Sequence, residues 1–131
     1  KHKRTSYHTT GKSQTAYRLV EETLQMLEKR YKRNPIEIVV KAIENAAPRE
    51  EIITIEYGGA RYPKAVEVAP QRRVDLALKF MTQGAYAKSF NSKRRYVECL
   101  ADELGNAFSQ SPNSVAISKK LELERQADSS R

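Results

Sequence analysis

Two short β-type runs on either side of Gly58-Gly59 constrain the fold more than any other feature of the sequence. Ile55 and Tyr57 alternate with polar residues before the glycine pair, and the alternation resumes after it. Alternation at period two that is interrupted by Gly-Gly is typical of a β-hairpin. The rest of the chain shows helical periodicity. The predicted fold class is therefore mainly α: a bundle of about five helices with one protruding β-hairpin arm over residues 50–69.

The predicted arm carries Arg61, Tyr62 and Lys64 close to Gly58 and Gly59. A two-stranded hairpin is only marginally stable in water, so its base must pack on the helices while its tip protrudes. One interpretation is a solvated hairpin whose charges keep the protein soluble. The other is an arm that reaches into nucleic acid.

Apolar residues at spacings of three and four predict five helices in a single domain of 131 residues. The expected bounds are 13–31, a second helix opened by Asn34-Pro35 and ended by Pro48, 70–89, 93–109, and a last helix that begins at Ser111-Pro112. The predicted core positions are Tyr17, Val20, Leu24, Leu27 and Tyr31; Ile36, Val39, Val40, Ile43 and Ala47; Val74, Leu78, Met81 and Ala85; Val97, Leu100, Ala101, Leu104, Ala107 and Phe108; and Val115, Ile117 and Leu121. The small residues Ala77 and Gly84 would let a neighbouring helix approach closely.

The net charge of +8 is concentrated in two blocks. Residues 1–33 hold nine Lys or Arg against three acids, and residues 61–95 hold nine against two, whereas both remaining segments carry more acids than bases. Such blocks predict a polyanionic partner, with nucleic acid favoured over an anionic membrane. Residues 1–11 are polar and basic without periodicity and are interpreted as a flexible tail.

Cations occupy two helix starts where acids would be expected from stability alone. Arg72 and Arg73 fall in the first turn of the third predicted helix, and residues 93–95 fall in the first turn of the fourth. Positive charge there opposes the helix dipole, whereas helix N-termini bind phosphate through free amide hydrogens. We therefore predict that a polyphosphate strand runs past both helix starts and the arm. The alternative is that each cation pairs with an acid elsewhere in the fold.

Most enzymatic chemistry is disfavoured by the residue inventory. The acids read as solvated faces of helices, and no metal-spaced His/Cys cluster or Ser–His–Asp set can be argued. Gly11-Lys12-Ser13 lacks the earlier glycine and the strand of a P-loop. Cys99 is interpreted as a buried structural thiol. No apolar run is long enough to span a membrane, and the basic start lacks the apolar stretch of a secretory signal. No enzyme activity, cofactor, metal or small-molecule substrate is expected.

The sequence resembles the small-subunit ribosomal protein seven (S-seven) family, in its archaeal and eukaryotic branch. The segments that carry the resemblance are GKSQTAYRLVEE, NPIEIVVKAIENAAPRE, EYGGARYPKAVEVAPQRRVDLAL, ECLADEL and KKLELERQADSSR. They occur in the order of the family, and the resemblance as a whole runs from Gly11 to Arg131, which is more than nine-tenths of the chain. The resemblance implies a helical bundle with a β-hairpin arm that acts in the cytoplasm, in the ribosome. Family members usually carry a longer N-terminal region than the stretch before Gly11 here.

The family resemblance further implies a binder of the three-prime major domain of small-subunit rRNA, which forms the head. The arm would lie near the exit-site tRNA and the mRNA path, beside ribosomal protein S-eleven. The candidate rRNA-binding residues are Lys3, Arg4, Lys12, Arg72, Arg73, Lys93, Arg94, Arg95, Lys119 and Lys120, and the candidate arm residues are Gly58, Gly59, Arg61, Tyr62 and Lys64. An architectural or helix-turn-helix DNA-binding protein remains the alternative, because basic helices and a β-ribbon also suit DNA.

Overall fold

The computed structural model describes residues 11–130. Five helices and one hairpin follow one another as α1 (Ser13–Tyr31), α2 (Pro35–Ala46), β1 (Glu50–Tyr57), β2 (Ala60–Glu67), α3 (Pro70–Ser89), α4 (Tyr96–Phe108) and α5 (Val115–Ser129). The mainly α architecture with a β-hairpin is thus confirmed. The predicted bounds of α1 and α3 agree with the structure at both ends.

The hairpin has the turn that its glycine pair predicts. The strands β1 and β2 are antiparallel, with Tyr57 opposite Ala60, so only Gly58 and Gly59 lie between them. Both glycines have positive φ, at 56° and 86°, which a two-residue hairpin turn favours and most other residues avoid. The arm packs against α5 near its base, where Val68 is buried, whereas its tip is exposed.

Helix α4 forms the centre of the bundle and packs against α1, α2 and α3. Its predicted apolar face is confirmed, with Val97, Leu100, Ala101, Leu104 and Ala107 all buried. Cys99 is a fully buried free thiol, as interpreted. Close helix approach at Gly84 is also confirmed, since a Cβ there would lie 2.8 Å from the Cβ of Val115 on α5.

Two predicted helix starts are wrong by several residues. Helix α4 begins at Tyr96 rather than residue 93, after a turn in which Asn91 has positive φ and the Ser92 hydroxyl accepts from the Arg94 amide. Helix α5 begins at Val115 rather than at Pro112, because Ser114 is the residue whose side chain caps the helix, by accepting from the Ile117 amide. The Ser111-Pro112 pair therefore does not begin the helix, because Ser114, three residues later, is the N-cap.

Several predicted core positions lie on the surface instead: Tyr17, Val20, Ile36, Val40, Val74, Leu78 and Leu121. In α2 the fully buried face is formed by Ile38, Ala42 and Ala46, one step around the helix from the predicted stripe. Helix α4 packs against α2, and two of the three fully buried side chains on that face of α2 are small. Residues 13–18 of α1 are all exposed, which leaves the first turns of that helix uncovered.

Candidate nucleic-acid interface

The first basic cluster lies where the arm joins α3. Ala69 provides no side-chain cap for α3, and the first turn contains no acid. Arg72 lies in that turn and donates through Nε to both carboxylate oxygens of Glu51, at 2.8 and 3.1 Å. This hydrogen bond and the charge of Glu51 raise the pKa of Arg72. Arg73 donates to the backbone carbonyl of Pro48 at 3.2 Å. Both arginines are therefore tethered to the base of the arm.

The second cluster precedes α4 and joins it to α1. Asp102 accepts from Arg30 at 2.7 Å and also from Arg94, and Arg95 donates to Glu22 at 2.9 Å. Because α4 begins only at Tyr96, residues 93–95 lie in the preceding turn and not within the first helical turn, where the sequence had suggested they would be. Within residues 11–130, Lys93 forms no ion pair.

Asp102 holds two guanidinium groups together at the α1–α4 junction. Burial raises its pKa, but hydrogen bonds from Arg94 and Arg30 and their charges more than offset that effect, and its pKa lies below the usual value. At the C-terminal end of α1, Arg30 is also favoured by the helix dipole, and periodicity gives no hint of this shared carboxylate. The signal available in the sequence was weak, since Arg30 and Asp102 are 72 residues apart.

We expect the contribution of Asp102 to stability to disappear in acid. A depressed pKa means that the folded state gains stability above the unfolded pKa of about 3.9 and loses it as the pH falls through the folded value. Asp102→Asn should lower Tm by a few degrees at pH 7, and the difference from wild type should shrink as the pH falls below the unfolded pKa and through the lowered folded pKa of Asp102. Thermal unfolding followed by circular dichroism between pH 2.5 and 7 tests this expectation. A Tm difference between the variant and wild type that is as large at pH 2.5 as at pH 7 would contradict it.

The two clusters lie at opposite ends of α3. Arg72 is near the start of this helix, and residues 93–95 follow soon after its end at Ser89. A rise of 1.5 Å per residue separates the helix positions of Arg72 and Ser89 by about 25 Å. A single polyanion that contacts both clusters would therefore have to extend along most of α3.

The predicted arm residues lie at or near the exposed tip. Arg61 pairs with Glu56 on the opposite strand at 3.1 Å. The rings of Tyr57 and Tyr62 lie 6.4 Å apart, which forms a cross-strand aromatic pair. Lys64 is exposed and faces Ile53 in the strand register. The tip thus presents aromatic and cationic groups together.

The remaining candidate cations occupy different settings. Lys12 is exposed at the start of α1, and its carbonyl accepts from the Ala16 amide. Lys119 pairs with Glu122 at 3.7 Å, whereas Lys120 donates to the carbonyl of Asn45 at 3.0 Å and joins α5 to the end of α2. Lys3 and Arg4 lie outside the described residues.

Glu103 contradicts the expectation that the acids form solvated faces. Its carboxylate is fully buried on α4 and accepts from the Ser114 hydroxyl at 2.7 Å and the Ala116 amide at 3.0 Å. The Lys88 ammonium donates to the other carboxylate oxygen of Glu103, at 3.4 Å. The carboxylate thus satisfies one free amide at the start of α5, that of Ala116, and supplies the negative charge that a helix N-terminus favours. The sequence signal was its position, four residues from both Cys99 and Ala107 on the apolar face of α4.

Residues 11–130 contain no group of three or more His, Cys, Asp or Glu side chains that could hold a metal ion. None of the helices in the same range is long and apolar enough to cross a lipid bilayer. The candidate functional groups within residues 11–130 are instead exposed Lys and Arg side chains.

A basic helical bundle with a projecting hairpin and two arginine clusters belongs to the class of proteins that can present cations to a polyanion. Comparison with known families identifies which family of this class the chain belongs to. The sequence model described as "Ribosomal protein S7p/S5e" matches residues 4–131. The chain belongs to this family, which consists of structural ribosomal proteins and not of enzymes.

Archaeal relatives support the same assignment. Small ribosomal subunit protein uS7 of Nanoarchaeum equitans is 55% identical over 131 residues, which is 100% of this chain and 66% of the relative. The proteins of that name from Archaeoglobus fulgidus and Methanothrix thermoacetophila are 47% and 48% identical over 95% and 93% of this chain, and over 64% and 66% of their own lengths. The chain therefore spans about two thirds of the length of these relatives.

Proposed function

We propose that this chain binds the three-prime major domain of small-subunit rRNA and organises assembly of the head, acting in the cytoplasm as part of the ribosome. The observation that carries the proposal is the placement of exposed arginines at both ends of α3, in a chain of the S7p/S5e family. Phosphates that follow α3 would reach both clusters.

The ion pairs of the free protein are compatible with phosphate binding. Arg72, Arg94 and Arg95 pair with carboxylates, but more than half of each arginine side chain remains exposed. Exposed ion pairs contribute little free energy because water and salt screen them. An RNA phosphate offers the same charge-assisted, bidentate geometry as a carboxylate. A phosphate can therefore replace Glu22 at small cost, whereas Glu51 and Asp102, whose side chains are only 18% and 29% exposed, lose more when their arginines turn to RNA. All three carboxylates orient the guanidinium groups until RNA arrives.

Recognition would rest on the shape of the RNA. Both clusters consist of cations that suit phosphate and sugar oxygens, which position a protein without reading base edges. A-form helices display their backbone and shallow minor groove, so junctions are recognised mainly by geometry. The chain would thus read how helices of the head domain are arranged.

The arm is proposed to reach the exit-site tRNA and the mRNA path, next to ribosomal protein S-eleven. Its tip extends from the bundle by strands of eight residues, each about 25 Å long. The exposed Tyr57–Tyr62 pair and Arg61 would give this tip both a stacking surface and a phosphate contact.

A competition experiment tests the proposed function against DNA binding. Labelled head-domain rRNA bound to the chain is challenged with unlabelled head-domain rRNA or with duplex DNA of equal phosphate count. We expect the RNA to compete at least a hundredfold better, because the interface reads RNA shape. Equal competition would favour an architectural DNA-binding protein instead. Chemical footprinting of the bound RNA then locates the contacts.

Shortening the arm should separate its role from rRNA binding. Replacing residues 55–62 by Gly-Gly removes the tip and retains the register at Thr54 and Pro63. We expect head-domain rRNA affinity to stay within about threefold of wild type, because both arginine clusters remain. Retention of exit-site tRNA by reconstituted small subunits should fall about tenfold, as expected for the loss of a stacked base and a phosphate contact.

The matched control for the shortened arm is Tyr57→Leu with Tyr62→Leu, which retains the hairpin and removes only the rings. An arm that affected rRNA and tRNA binding equally would contradict the proposed distal role.

A further inference from the structure

An apolar groove lies between the first half of α1, the end of α3 and the start of α4. Its volume is about 540 Å3. Leu19 and Val20 line one wall, Tyr86 the second, and Tyr96 and Leu100 the third. Burial raises the pKa of the Tyr96 hydroxyl, in keeping with these apolar surroundings. The groove has the size of an ordinary small-ligand site.

The groove continues into apolar surface that the bundle does not cover. Tyr17 is 75% exposed and Val20 is 51% exposed on the same half of α1. Phe90 is also exposed, and its ring lies 6.0 Å from that of Tyr86. Exposed apolar side chains close to a groove mark a binding site more often than isolated exposed residues do.

Cations border the groove, and their charge favours an anionic occupant. Lys12 lines it at the α1 end, and Arg95 immediately precedes Tyr96 and reaches across to Glu22 on α1. No carboxylate is among the side chains of residues 11–130 that line it. An apolar, aromatic floor between cations is the arrangement by which proteins hold single-stranded nucleic acid, with bases on the floor and phosphates on the rim.

We propose that this groove binds an unpaired nucleotide of RNA, with its base against Tyr86 and Leu100 and its flanking phosphates on Lys12 and Arg95. This inference rests on the proposed RNA-binding function and adds a site that selects an unpaired base. The hydroxyls of Thr15, Thr82 and Ser89 also line the groove. Thr82 and Ser89 donate to carbonyls of their own helix, so towards a base edge their oxygens can act only as acceptors. The two arginine clusters, by contrast, contact backbone only.

The test uses octa-adenylate and an abasic oligonucleotide with the same number of phosphates, each titrated into the whole chain with 13C-labelled leucine methyls. We expect the methyl signals of Leu19 and Leu100 to shift with octa-adenylate and not with the abasic chain. Tyr86→Leu should weaken octa-adenylate about tenfold and Tyr86→Phe should restore it, because the ring provides stacking. The control Tyr57→Leu, on the arm, should leave the Leu19 and Leu100 shifts unchanged.

A second variant guards against misfolding of the first. Ala16 is exposed and lines the groove, so Ala16→Leu fills the site without touching the core and should also weaken octa-adenylate about tenfold. If Ala16→Leu and Tyr86→Leu both bind octa-adenylate as wild type does, the groove proposal is overturned, and a helix of a protein partner becomes the better occupant. Binding of head-domain rRNA by the same chain is measured in parallel. If the chain does not bind this RNA, the proposed function is overturned instead.

Discussion

Raising monovalent salt from 50 to 200 mM is expected to weaken binding of head-domain rRNA by about a thousandfold to a hundred-thousandfold. Each phosphate that a protein cation neutralises releases condensed counterions, so the logarithm of affinity falls by about 0.9 for each such phosphate and each tenfold rise in salt. Six to ten phosphates give this range, and the candidate cations at both ends of α3, on α1 and on the arm are numerous enough to engage them. Filter binding or fluorescence anisotropy across the salt range measures the slope.

The slope also reports on the fate of the ion pairs. Arg61, Arg72, Arg94 and Arg95 each have a carboxylate partner in the free protein. If these arginines kept their partners in the complex, each would neutralise no phosphate, and the slope would correspond to about four fewer contacts. Glu51→Gln then serves as a control, because it frees Arg72 before RNA binds. It should raise affinity a few-fold with little change in the slope if Arg72 contacts phosphate, and by no more than the screened effect of a single distant charge if it does not. A flat salt titration would contradict the whole interface.

The arm and two helices could be predicted from the sequence because local chemistry determines them. Gly58-Gly59 sets the hairpin register by itself, and Pro70 marks the start of α3. Helix α4 was harder, since its start depends on the turn at Asn91 and Ser92, where no strong cap is visible. Local signals define an element only when no tertiary contact outweighs them.

The choice of buried face could not be predicted from periodicity. Helix α2 carries two apolar stripes, and Ile36 and Val40 are as apolar as anything on the buried side. The bundle buries Ile38 and Ala42 because α4 packs closely there, which is a property of the partner helix and not of α2. Buried Glu103 follows the same logic, since its amide and hydroxyl partners lie 11 to 13 residues further along the chain.

The charged residues of the candidate interface could be predicted from the sequence. The carboxylate that each arginine pairs with could not. Sequence reasoning placed Arg72 at a helix start, but its partner Glu51 is 21 residues away on the arm. Arg95 finds Glu22 across 73 residues. Whether each cation contacts RNA remains a prediction, and the pairing sharpens it by naming the carboxylate that a phosphate must replace.

Reversing both arginines at the start of α3 is expected to weaken head-domain rRNA binding by about a thousandfold or more. Arg72→Glu with Arg73→Glu removes two charge-assisted contacts and places two negative charges against phosphate, and each such contact contributes on the order of tenfold or more. The helices should survive, because acids in the first turn suit the helix dipole, although the variant removes the arginine contacts to Glu51 and to the Pro48 carbonyl at the base of the arm. Binding is measured at fixed salt, and far-ultraviolet circular dichroism should match wild type.

The matched control carries the same change of four charges elsewhere. Lys41 on α2 and Arg125 on α5 are exposed and belong to neither cluster, so Lys41→Glu with Arg125→Glu tests the effect of net charge alone. This control should lose about tenfold or less, because distant exposed charges act only through the screened long-range field. Equal losses in the two double variants would mean that net charge drives binding and that the start of α3 is not a contact. Normal binding by the Arg72 and Arg73 variant would remove that helix start from the interface altogether.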